Sequence, residues 1–112
     1  MLHAVIYTNR FIPSRYSGFT LGPLILIRPK NRDDVGLLEH EKVHVRQFWR
    51  TLGLSGIGYM FSKRLRLKAE VEAYREQLKH YAVDRKPLFA HYLATKYNLG
   101  ITQEEALLLL SV

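Results

Sequence analysis

Cysteine is missing from all 112 residues, which excludes a disulfide scaffold, a zinc finger, an iron–sulfur cluster and a CxxC redox pair. Any transition metal would have to be held by histidine and carboxylate. Acidic groups are scarce as well. Ten Asp+Glu stand against seventeen Lys+Arg, for a formal charge of +7 and a pI near 9.9, a balance that permits a nucleic-acid or anionic partner without requiring one. Long apolar runs are also lacking. The longest uncharged stretch, Thr51 to Ser62, contains three glycines and falls short of the ~20 residues of a spanning helix, so no membrane partner is expected. Met1 to Arg10 lacks the basic start and apolar stretch of a secretion signal. The expectation is a cytoplasmic protein made without export.

What remains is enough for one domain, 1–112, at roughly 100–200 residues per domain. With 47% hydrophobic residues, a chain of this length buries about two-thirds of its unfolded surface and needs no staples. Strand chemistry fills the first 29 residues: Leu2 to Thr8 is β-branched and aromatic, and Phe19 to Arg28 holds the run Leu24-Ile25-Leu26-Ile27. Pro29 to Asp34 ends that pattern, with Asp33 as the expected N-cap of a first helix over 34–52 closed by Gly53. Further helices are expected over 64–83 and 88–97, and a short fourth one from the capping box Thr102-Gln103-Glu104-Glu105. Strands first and helices afterwards predict an α+β fold, a short antiparallel N-terminal sheet followed by about four helices.

The first helix carries His40-Glu41-Lys42-Val43-His44, an HExxH pattern. Residues i and i+4 stack on one helix face, so both imidazoles can reach one Zn²⁺. The intervening glutamate sits beside the metal and can take a proton from a water activated there. Chance produces such a match about 0.01 times in a chain of this composition. On the helical wheel Glu39, Lys42, Arg46 and Arg50 form a charged stripe. His40, Glu41 and His44 lie roughly opposite, among Leu37, Phe48 and Leu52. A carboxylate between two imidazoles on the inward face costs several kcal/mol, roughly, unless charge compensation or a metal satisfies it.

A catalytic zinc needs a third protein ligand. The HxxGxxH continuation is absent, with Gln47 and Arg50 in those places, so the ligand must come from the second helix. Glu72 shares a charged stripe with Lys68, Arg75 and Lys79, where salt bridging suffices. Glu70 lies on the apolar side with Leu67, Tyr74, Gln77, Leu78 and Tyr81 and is taken as the third ligand, with Glu76 in reserve. The plain alternative for Glu70 is a buried carboxylate bonded to a tyrosine or an arginine.

The run from His40 to Arg50 followed by Leu52-Gly53 resembles the small stand-alone gluzincin-type metallopeptidases. Their pattern is a strand pair, HExxHxxQ with an aromatic and a Leu-Gly behind it, and a second helix. Phe19-Thr20-Leu21-Gly22 resembles their thr-x-gly lead-in to the edge strand, and Glu70-Val71-Glu72-Ala73-Tyr74 their glu-x-x-ala pattern. The resemblance spans about residues 15–78. It implies zinc on His40, His44 and Glu70, peptide-bond hydrolysis with Glu41 as general base, and a setting that extends to phage particles, hence a virion location if a phage encodes the chain. In such enzymes an aspartate four residues after the ligand glutamate holds a zinc-ligating histidine. Tyr74 stands there instead, as the residue expected to accept that N–H, less firmly than a carboxylate would.

An oxyanion stabiliser is also required. Tyr81 is named for it, with Tyr59, His80 and His91 not separated from it by sequence. A peptide substrate is expected to add along Phe19 to Ile25. Lys63 to Lys68 carries four positive charges at a helix start, unfavourable for the helix dipole, and points to an acidic protein partner. The run Gly53 to Phe61 reads as a packed connection. Two other functions remain: a zincin-fold assembly protein without activity, and a basic nucleic-acid binder, disfavoured because no such motif is present.

Overall fold

The structure, a computed structural model, describes residues 2–112. It is an α+β fold with a three-stranded sheet followed by five α-helices. Strands β1 (Ala4–Tyr7), β2 (Gly18–Leu21) and β3 (Leu24–Ile27) lie in the order β1-β3-β2. The Phe19 to Arg28 segment, expected as one strand region, is divided at Gly22 and Pro23 into an antiparallel hairpin of β2 and β3, Phe19 opposite Leu26, and β1 runs parallel to β3, Val5 opposite Ile25. The sheet is therefore mixed and not antiparallel throughout. The link over residues 8–17 is long enough to carry the chain past β3 to the far edge. β3 is thus central, and the uninterrupted Leu24 to Ile27 run suits a strand covered on both faces, with Ile25, Leu26 and Ile27 all buried.

After a 3₁₀ turn at Pro29–Asn31, α1 spans Val35–Arg50. Its N-cap is Asp34 and not Asp33. Asp34 has the extended backbone of a cap, and its carboxylate accepts the Leu37 N–H at 3.0 Å. The chain then turns at Leu52 and Gly53, both with positive φ, into α2 (Leu54–Phe61), where a simple connection was expected. Three glycines at 53, 56 and 58 lower helix propensity, yet the segment is helical and buries no residue fully. Capped by Ser62, α3 runs over Lys63–Leu78 and stops five residues short of the expected end. Then come α4 (Lys86–Thr95) and α5 (Gln103–Leu110), the latter opened by the Thr102/Glu105 capping box with both of its bonds formed. Among the described residues no helix is long and apolar enough to cross a membrane.

Two apolar clusters result. The sheet side contains Ile25, Ile27, Leu37 and Val45, while Val71, Tyr74, Phe89, Leu93, Tyr97 and Leu110 belong to the helical side. α1 contributes Leu37 and Val45 to the first and α3 contributes Val71 and Tyr74 to the second, and the histidines of the HExxH segment face α3 between them. Part of the basic surplus is structural. The Arg28 guanidinium donates to the carbonyls of Tyr16, Ile12 and Pro13, and Arg66 to those of Tyr97, Tyr59 and Asn98.

Candidate metal centre

His40 and His44 project from successive turns of α1 toward α3, which presents Glu70. One ligand atom from each of the three lies within 4.8 Å of the others. Both Nε2 atoms face the same carboxylate oxygen, Glu70 Oε1, at 3.1 Å from His40 and 3.2 Å from His44. His40, Glu41 and Glu70 are each no more than 4% exposed, so this polar knot is inside the molecule, as the wheel required.

The protons on the imidazoles can be traced through their other partners. Gln77 donates its amide N–H to the Tyr81 hydroxyl at 2.8 Å, and that hydroxyl donates to Asp34 Oδ1 at 2.7 Å. The Gln77 oxygen must therefore accept from His40 Nδ1, 2.9 Å away. In the same way Gln47 donates to Glu72 Oε1 at 2.7 Å and to the Ala69 carbonyl at 3.1 Å, so its oxygen accepts from His44 Nδ1 at 2.8 Å. Each ring carries a proton on Nδ1 and, when neutral, turns a lone pair on Nε2 inward. Two nitrogen lone pairs and a carboxylate oxygen then converge on one region with no hydrogen between them to share. This is the donor set of a zinc site.

In the metal-free chain a proton offsets that convergence. Burial alone would lower the His44 pKa, but Glu70 overrides it and raises it to about 9. Glu70, for its part, is disfavoured as an anion by burial, yet His44 and His40 hold it well below the usual carboxylate range. Tyr59, from α2, donates to Glu70 Oε2 at 2.5 Å. Burial and then the Glu70 charge push this phenol far up, keeping it protonated.

Glu41 is fixed from the sheet side. Its Oε1 accepts the Thr20 hydroxyl at 2.7 Å, and its Oε2 lies against Gly18, 3.1 Å from where a Cβ would stand. A side chain at position 18 would press on the carboxylate. Thr20 entered the sequence reading only through the resemblance, and here it orients the proposed base.

Other expectations need correction. Tyr74 accepts no histidine proton. Its hydroxyl pairs with that of Tyr97 at 2.5 Å, and its ring packs edge-on against His40 at 4.4 Å. The spacing placed Tyr74 one turn from Glu70, where its length carries the hydroxyl past the imidazole, and Gln77 takes the bond instead. Tyr81 is likewise no free donor, since its hydroxyl is held between Gln77 and Asp34. Its ring sits so close to Gly36 that a Cβ there would be 2.6 Å away. Glu76 pairs with Lys79 at 3.4 Å and with His80 at 3.5 Å. His91 is exposed on α4. Of the four proposed donors, only Tyr59 reaches the cluster.

Two cavities flank Glu41 and His40. The larger, about 570 Å³, lies between β2 and α2 and is walled by Phe19, Leu21, Phe48, Ile57 and Met60, with His44, Tyr59 and Glu70 at its floor. The smaller, about 190 Å³, lies toward α4. Comparison of the chain with protein-family models, with curated proteins and with solved structures finds no match.

Proposed function

We propose that this chain is a zinc-dependent peptide hydrolase in which His40, His44 and Glu70 hold the metal and Glu41 is the general base. The observation that carries this reading is the convergence of three inward-facing acceptor atoms, two histidine nitrogens with assigned tautomers and one carboxylate oxygen, in a buried position. Zinc in such a site supplies Lewis acidity, polarising a carbonyl and bringing the pKa of water to about 7.

The remaining work falls to the chain. Glu41, with Oε1 held by Thr20, takes the proton of the attacking water on Oε2 as the water oxygen bonds to the carbonyl carbon. It then hands that proton to the amine nitrogen as the C–N bond breaks. Tyr59 spends its single O–H on Glu70 Oε2 and so orients the third ligand. β2 is the sheet edge next to Glu41, and an extended peptide adding along its free side would bring a carbonyl toward the cluster.

Metal analysis after dialysis against zinc tests the site. One zinc per chain is expected, lost in the His40→Ala/His44→Ala double variant, and a chain that takes up none is not this enzyme. Glu41→Gln is expected to keep its zinc while peptide cleavage falls by about 10²–10⁴-fold. Unchanged cleavage would exclude Glu41 as the base.

A further inference from the structure

The smaller cavity shares His40 and Glu41 with the apolar cleft but has a different character. Arg85 and Lys96 line it, together with Asn31 and Asp34. Both cations rest on aromatic faces: the Arg85 guanidinium lies 4.0 Å from the centre of the Tyr81 ring, and the Lys96 ammonium 3.8 Å from that of Tyr92. Among the described residues neither has a carboxylate within ion-pair distance. Asp34, the other acid in the lining besides Glu41, is engaged through Oδ1 by the Leu37 N–H and the Tyr81 hydroxyl. Asn31 Oδ1 is buried without a hydrogen-bond partner, an acceptor waiting for an N–H. Two cations without anions and one acceptor without a donor match a peptide end or an acidic residue, which brings a carboxylate and a backbone N–H together. At about 190 Å³ the space is below the roughly 300–1,000 Å³ of a whole-ligand site and suits a single residue.

We infer that this cavity is a carboxylate subsite, so that the preferred peptide has an apolar residue in the large cleft and, across the scissile bond, a carboxylate between Arg85 and Lys96. The carboxylate is that of an acidic side chain or of the chain terminus. The inference rests on the hydrolase reading for the position of the scissile bond, but the groups that define the subsite, Arg85, Lys96 and Asn31, bond to none of the three metal ligands. Resting on aromatic rings, both cations are held in place before the anion arrives, which lowers the ordering cost of binding.

Binding is measured with the zinc-loaded Glu41→Gln protein, where turnover does not intervene. The probes are N-acetyl tetrapeptides with an apolar residue, compared as free acid against C-terminal amide, and as Asp against Asn in an amidated peptide. A preference of about 10-fold for the carboxylate member is expected in at least one pair. The acid/amide pair identifies a chain terminus and the Asp/Asn pair a side chain. The ratio should fall toward one in the Arg85→Gln/Lys96→Gln double variant and be retained in Arg85→Lys. Both positions are partly or fully exposed, and thermal melting verifies that the variants fold. A ratio near one in the parent, or one that the double variant leaves intact (as for a carboxylate taken by the metal), overturns the subsite. Cleavage by the wild-type protein is scored separately. No cleavage with an intact ratio defeats the hydrolase reading alone, and cleavage with a ratio of one defeats the subsite alone.

Discussion

His40 and His44 stand one helical turn apart, present the same nitrogen to the same oxygen and are oriented by the same kind of group, yet they are anchored in different media. The His40 line runs through Gln77 and Tyr81 to Asp34 at the first turn of α1, with His40 and Gln77 both buried. The His44 line runs through Gln47 to Glu72, whose side chain is 47% exposed and also faces Arg50. A glutamine amide oxygen fixes the tautomer in both, but only in the first are the histidine and its glutamine both buried. Burial, and not the identity of the hydrogen bond, sets how much each contributes.

The strongest way to break the symmetry is Gln77→Leu. It leaves His40 Nδ1–H without a buried acceptor, with an expected loss of about 2 kcal/mol in stability and a 10–100-fold loss in zinc affinity. Denaturant unfolding and competition with a chelator read the two effects. A variant as stable and as zinc-avid as the parent would mean that His40 is held by packing alone.

Next in size is the pH response of the metal-free protein, which follows His44 and Glu70. The raised His44 pKa, near 9 against 6.5 unfolded, contributes stability that is complete below about pH 6.5 and lost as pH rises through about 9. The lowered Glu70 pKa contributes stability that is present above the ordinary 4.5 and lost as pH falls below it. Melting temperature in EDTA is therefore expected to peak between about pH 4.5 and 6.5. Saturating zinc removes the alkaline decline, because the metal replaces the proton. A flat alkaline limb in EDTA would contradict the assignment. The smallest effect is expected from Gln47→Leu: under about 1 kcal/mol in stability, since Gln47 is only partly buried and Glu72 behind it meets water, and a zinc affinity that falls less than in Gln77→Leu. Equal losses in the two variants would remove the distinction between them.

Much of this was legible in the sequence because it is local. A 3.6-residue period put His40, Glu41 and His44 on the inward face of one helix and singled out Glu70 from Glu72 and Glu76 on the next, and the capping box opening α5 is a four-residue motif. The misses are tertiary. Tyr74 was given its bond by the resemblance, from the place an aspartate takes in those enzymes, whereas the length of a phenol and the position of Tyr97 decide where the hydroxyl goes. Gln77 was on the correct face and Gln47 three residues from His44, but nothing in a single chain tells an amide that orients an imidazole from one that meets water. Tyr59 could not be separated from three rivals because its distance to Glu70 is set by the α2–α3 corner, inside a glycine-rich segment whose helix was itself missed. β1 joined β3 in parallel, a pairing that local turn signals do not encode.

The metal ligands come from two helices, and each helix belongs to a different apolar cluster, α1 to the sheet side and α3 to the helical side. The spacing between Nε2 and Oε1 is therefore not a property of either core. It is the docking distance of the two, read out where they meet. A core residue such as Leu37 on α1, or Leu93 on α4 where it packs in the same cluster as Val71 and Tyr74 of α3, takes part in setting that distance through the seat of α1 or α3, and close packing transmits a change of volume there instead of absorbing it. In this small protein the ruler for the metal is the fit of one half against the other.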